Sequence, residues 1–70
     1  MIKLVKEELE KKIKEGVIVY IEGSNVIEKR LYRFNNKLNA LEYSDDNKIW
    51  KESNMNIDEL KNNEWIIYEG

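Results

Sequence analysis

The chain contains no cysteine, no histidine and no proline, and only three glycines. Without cysteine there is no disulfide framework and no thiolate metal site. Without histidine and cysteine, the usual general base and the strongest side-chain nucleophile are both missing. The serines Ser24, Ser44 and Ser53 have no base partner in the sequence, and Asp45-Asp46 reads as a solvated pair in a polar turn. An enzyme is therefore not expected. A carboxylate-only Mg²⁺ or Ca²⁺ site has no ligand spacing to support it, so no metal or cofactor is expected. A basic excess is also absent: 12 lysines and arginines face 14 acidic residues, for a net charge of −2. General nucleic-acid binding needs the opposite balance. No apolar run approaches the roughly 20 residues of a membrane span. Met1 leads into a lysine-rich amphipathic stretch rather than a signal-peptide core, which predicts a cytoplasmic protein.

What is present is a single small domain, 1–70, with 37% charged residues. A chain of this size buries only roughly 60% of its unfolded surface, so its own core is small. Oligomerisation is the remaining device for added stability.

Residues 2–15 read as a helix, with Val5, Leu9 and Ile13 on one face and Ile2 one turn earlier. Glu7 to Lys11, Glu8 to Lys12 and Glu10 to Lys14 are Glu-before-Lys pairs four residues apart, which support an exposed helix face. Gly16 suits the left-handed residue that ends a helix. Residues 17–21, VIVYI, read as a strand. Gly23-Ser24-Asn25 reads as a turn, and Val26-Ile27 either opens a further strand or stays in the loop. Residues 31–34, 38–43 and 48–51 read as strands, separated by asparagine and aspartate turns at 35–37 and 44–47. Together they make an antiparallel meander. A short helix over 57–62, capped by Ser53, Asn54 or Asn56, precedes a final strand over 64–68. The fold class is α+β: an N-terminal helix packed on a small antiparallel sheet, with a short second helix before the last strand.

Alternate residues of a strand point to opposite faces. Val17, Val19 and Ile21 thus share one face, with Ile18 and Tyr20 on the other. Trp65 and Ile67 share one face, with Ile66 and Tyr68 on the other. One amphipathic helix covers one side only. The other side calls for the second helix, a partner chain or both, which predicts a homo-oligomer.

Trp65, beside Ile66 and Ile67, reads as core. Trp50, next to the polar linker, fits core packing and ligand stacking equally. Arg30 and Arg33 are the only arginines. Arginine is the better fork for phosphate, although a surface ion pair is the ordinary role. Gly23-Ser24-Asn25 fits an ordinary turn, and also offers backbone N–H groups to an anion.

Three stretches together carry a resemblance. Lys12-Ile13-Lys14-Glu15-Gly16-Val17-Ile18-Val19 is similar to an opening motif A-L-K-x-G-K-K-V. Glu59-Leu60 and Glu64-Trp65-Ile66 are similar to a closing D-L-L-A-x-D-W-E-I, and Trp50 with Ser53 resembles W-x-P-S. In these the chain resembles the Thoeris anti-defence family of small phage and prophage proteins, formerly a domain of unknown function. Ser24 stands where that family has the tryptophan of G-W-N, and Glu52 where it has the proline of W-x-P-S. The resemblance implies a cyclic nucleotide sponge in the host cytoplasm. Such a protein binds glycocyclic ADP-ribose or a cyclic dinucleotide without cleaving it, as a tetramer with pockets between subunits. It points to Asn25 and Trp50 as ligand-binding. Residue type and position add Tyr20, Ser24 and Arg33. The alternatives are a small protein–protein interaction module that inhibits a host or phage enzyme, and an accessory phage protein with no ligand.

Overall fold

A computed structural model of the chain describes residues 2–22 and 30–69. The described residues form six strands in one antiparallel sheet: β1 (Ile2–Leu4), β2 (Val19–Ile21), β3 (Leu31–Asn35), β4 (Ala40–Ser44), β5 (Lys51–Glu52) and β6 (Trp65–Ile67). A 3-10 turn (Lys6–Glu8) leads into α1 (Leu9–Lys14), and α2 (Ile57–Leu60) precedes β6. The spatial order is β1-β6-β2-β3-β4-β5, so the final strand lies inside the sheet between β1 and β2. The α+β class holds, as does the meander of β3, β4 and β5.

The start of the chain departs from the helix expected over 2–15. Residues 2–4 pair with β6, Leu4 opposite Trp65 and Ile2 opposite Ile67. The spacing of Ile2, Val5, Leu9 and Ile13 suited a helix, but Ile2-Lys3-Leu4 also alternates as a strand does. Pairing satisfies the backbone groups along the open side of β6, which a helix at this position would leave unpaired. Val5 is left exposed, and only Leu9 and Ile13 carry the buried helix stripe. Of the three Glu-before-Lys pairs, Glu10–Lys14 forms, at 3.3 Å. Glu7 and Glu8 fall in the 3-10 turn, where the four-residue spacing no longer stacks side chains. Lys61 from beyond α2 also reaches Glu10, at 3.3 Å.

The end of α1 follows expectation. Gly16 has φ 101°. Its N–H donates to the Ile13 carbonyl, and the Val17 N–H to that of Lys12, each at 3.2 Å. This is the paired closure of a Schellman motif. The first hairpin turn lies at 36–39, one residue later than the sequence pattern placed it, with Asn39 at φ 52°. The Asn35 side-chain oxygen accepts from the N–H groups of Lys37 and Leu38. The strand expected over 48–51 shortens to Lys51–Glu52, because residues 45–49 are taken up by the second turn. Asn56 caps α2 by accepting from the Glu59 N–H at 2.9 Å. Helical geometry ends at Leu60 rather than at 62, where a turn brings the chain to β6.

Both helices lie on the same face of the sheet. Leu9 and Ile13 of α1 and Leu60 of α2 join Leu4, Val19, Tyr32, Leu41 and Trp65 in one buried cluster. The register places those strand residues on one side: Leu4 and Ile21 stand opposite Trp65, and Val19 opposite Tyr32. Trp65 is the centre of this core. Its ring meets Tyr32 edge-on at 5.3 Å, and its indole N–H donates to the Leu60 carbonyl. The short second helix therefore does not cover the opposite face, contrary to one of the expected arrangements. Ile66 and Leu31 on that face are nonetheless only 3% and 4% exposed within the single chain. The burial seen in one chain thus already accounts for these two apolar residues.

The turn after β4 carries a titratable lock. Asp46 accepts from the N–H groups of Lys48 and Ile49 and from the Ser44 hydroxyl, at 2.9, 3.0 and 2.9 Å. The Ile49 and Lys48 N–H bonds, followed by that from Ser44, hold its carboxyl down at about 2. A carboxylate with a depressed folded pKa stabilises the fold above its unfolded value and loses that contribution as pH falls through the folded value. The contribution should fade between the ordinary 3.8 and about 2. Urea unfolding of the wild type should weaken more across this window than that of Asp46→Asn, which keeps the acceptor but does not titrate. Equal slopes would exclude Asp46 as the source.

Candidate functional site

The face of the sheet away from the helices carries Tyr20 and Arg33, two of the predicted ligand residues. Ile66, Tyr20, Leu31 and Ser44 form one cross-strand row: Tyr20 stands opposite Ile66 and Leu31, and Leu31 opposite Ser44. Lys3 closes the row opposite Ile66. Its ammonium bridges Glu22 at 3.0 Å and Glu64 at 3.1 Å, which raises its pKa, the Glu22 hydrogen bond first. In the next row Arg33 faces Glu42, which in turn faces Glu52 of the edge strand.

Arg33 is held from two sides. Its Nε donates to Glu42 Oε1 at 2.9 Å, and its guanidinium carbon lies 4.2 Å from the Trp50 ring centroid. A guanidinium over an indole face is attracted by the ring quadrupole. Glu42 is 8% exposed and Arg33 half-buried, so this pair is better shielded from solvent than an ordinary surface bridge. Among the described residues only Nε of the guanidinium is engaged in hydrogen bonding, and the Nη edge remains available to an acceptor. Arg30 also makes its ion pair, to Asp45 at 3.2 Å, with its guanidinium 4.5 Å from the Tyr43 ring.

Of the five predicted ligand residues, Arg33 and Trp50 are brought together. Tyr20 shares their sheet and, through Leu31, is diagonal to Arg33. Diagonal neighbours on one face stand roughly 7–8 Å apart, within reach of aromatic and long side chains. Ser24 and Asn25 lie outside the described residues, as does the reading of Val26-Ile27. None of Tyr20, Arg33 and Trp50 lines a described cleft.

The described clefts lie elsewhere. One of about 530 Å³ runs between the β1 and 3-10 segment and the loop joining α2 to β6. Another of about 380 Å³ lies between α1, the β3–β4 hairpin and the start of α2, with Phe34, Met55 and Ile57 among its lining. Reading residues 2–15 as a helix concealed the first of these. The strand alternation of Ile2-Lys3-Leu4 was the one signal that pointed to it. Among the described residues no helix is long and apolar enough to cross a membrane. No protein-family model, curated protein or solved structure matches the chain.

Proposed function

We propose that this chain is a binding protein that holds a cyclic nucleotide signal intact, on the sheet face that carries Tyr20, Arg33 and Trp50. The observation that carries this reading is the Arg33 guanidinium seated against Trp50, with its Nη edge unused. That edge suits a phosphate, which arginine binds through paired N–H groups. Aromatic side chains on the same face suit a base, whose stacking is worth roughly 1–3 kcal/mol. Glycocyclic ADP-ribose and cyclic dinucleotides, the ligands implied by the family resemblance, have both parts. The absence of histidine and cysteine accords with holding a ligand rather than converting it. A homo-oligomer belongs to the same proposal, since the family resemblance implies pockets completed by a neighbouring subunit.

Isothermal titration with cyclic di-GMP and with a cyclic ADP-ribose tests this. Saturable binding of one of them is expected, with the nucleotide recovered unchanged after heat release. Arg33→Ala should weaken binding by about tenfold or more, since hydrogen bonds to charged groups contribute roughly 1.5–3 kcal/mol. A converted product would replace the sponge with an enzyme, and no binding of either nucleotide would remove the proposal. A monomer by light scattering at micromolar concentration would remove the oligomer.

A further inference from the structure

The cleft beside β1 is lined by Leu4, Val5 and Leu9, of which Val5 supplies the accessible apolar surface. Leu4 and Leu9 are nearly inaccessible, whereas Val5 is 54% exposed, one of the few large apolar side chains left in solvent. Its volume, about 530 Å³, falls within the roughly 300–1,000 Å³ range of small-molecule sites.

The charges around the cleft divide into paired and unpaired. Lys3 is held by Glu22 and Glu64, and Lys61 by Glu10 and Asp58. These four carboxylates leave no net positive field for a simple anion. Lys6 and Glu7, side by side on the 3-10 turn, form no ion pair and no side-chain hydrogen bond among the described residues. The side chains of Asn62 and Asn63 on the facing loop are likewise without hydrogen bonds there. The cleft thus offers one free cation, one free anion, two free carboxamides and an aliphatic wall. Trp65 presents almost no surface, at 2% exposure, so there is no ring face on which a planar base would stack. This separates the cleft from the nucleotide surface proposed above.

We infer that this cleft is a second binding site, for a small zwitterion with an aliphatic side chain, that is, a free branched-chain α-amino acid. Its carboxylate meets Lys6, its ammonium meets Glu7, and its side chain lies along Val5. Asn62 and Asn63 supply polar contacts from the opposite wall. The inference does not depend on nucleotide binding.

Titration of the isotope-labelled protein with L-leucine, followed by amide NMR shifts, tests the site. Saturable shifts confined to residues 4–9 and 61–65 are expected, with a dissociation constant in the millimolar range. Two ligands with one charge deleted complete the test: 4-methylpentanoate lacks the ammonium, and 3-methylbutylamine lacks the carboxylate. Each should bind about threefold or more weakly than leucine, the scale of a solvent-exposed ion pair. Lys6→Gln should remove the preference for leucine over the amine, and Glu7→Gln the preference for leucine over the acid. Both positions are exposed, and the same spectra report whether each variant keeps its fold. Equal binding of all three ligands, shifts centred elsewhere or no saturable shift with leucine would each overturn the site.

Discussion

Trp65→Ala is expected to leave this protein close to unfolded at room temperature. Replacing a buried aromatic with alanine costs about 3–5 kcal/mol, from lost transfer energy and the cavity left behind. Domains are stable by roughly 0.05–0.15 kcal/mol per residue, or about 4–10 kcal/mol for a chain of this length. One substitution therefore removes much or all of the margin. Trp65 is 2% exposed, meets Tyr32 edge-on and stands between Leu4 of β1 and Ile21 of β2 in the ladder. Its removal loosens both neighbouring strands at once. Trp65→Phe separates packing from hydrogen bonding. It keeps a ring but loses the bond to the Leu60 carbonyl, which still accepts from the Asn63 N–H at 3.1 Å. Because that carbonyl keeps a donor, the lost bond itself should cost only about 1 kcal/mol. Thermal unfolding followed by circular dichroism checks both. A Trp65→Ala melt within a few degrees of wild type would mean that the core is centred elsewhere.

Leu60→Ala should cost about 2–5 kcal/mol, although Leu60 ends a helix of only four residues. A helix this short has negligible stability by itself. What holds it is the Asn56 cap and the insertion of Leu60, at 0% exposure, into the core shared with α1. Leu38→Ala is the control. Leu38 sits in the hairpin turn, 61% exposed, and its loss should fall within about 0.5 kcal/mol. Urea unfolding of the two variants compares them directly. If Leu60→Ala were as mild as Leu38→Ala, α2 would not be part of the core and the sheet would have only one helix on its inner face.

Much of the local structure was legible because its causes lie within a few residues. Gly16 ends α1, Asn56, one of three capping candidates, starts α2, and the β-branched and aromatic run over 17–21 yields the shorter β2. Each depends on backbone preference or on a side chain bonding to an N–H two or three residues away. The core role of Trp65 was legible as well, from its apolar neighbours. The strand at Ile2–Leu4 was not, since its only stabilising partner is β6 at the other end of the chain. Of the candidate site, Arg33 and Trp50 were visible as residue types but not as neighbours. The β3–β4 hairpin and the turn after it bring the 50 position back over β3, with Glu42 between the strands. The cleft beside β1 was hidden by the same misplacement of the first strand.

The sequence by itself determined the α+β class, the approximate placing of the turns, the glycine that ends α1 and the shortage of catalytic side chains, because composition and short-range geometry are carried by the chain locally. Only the tertiary structure decided which residues of different strands share a face. Strand register put Tyr20 and Arg33 on one side and both helices on the other. Register is set by pairing between distant segments, where a slip of one residue reverses every face, and no local pattern specifies it.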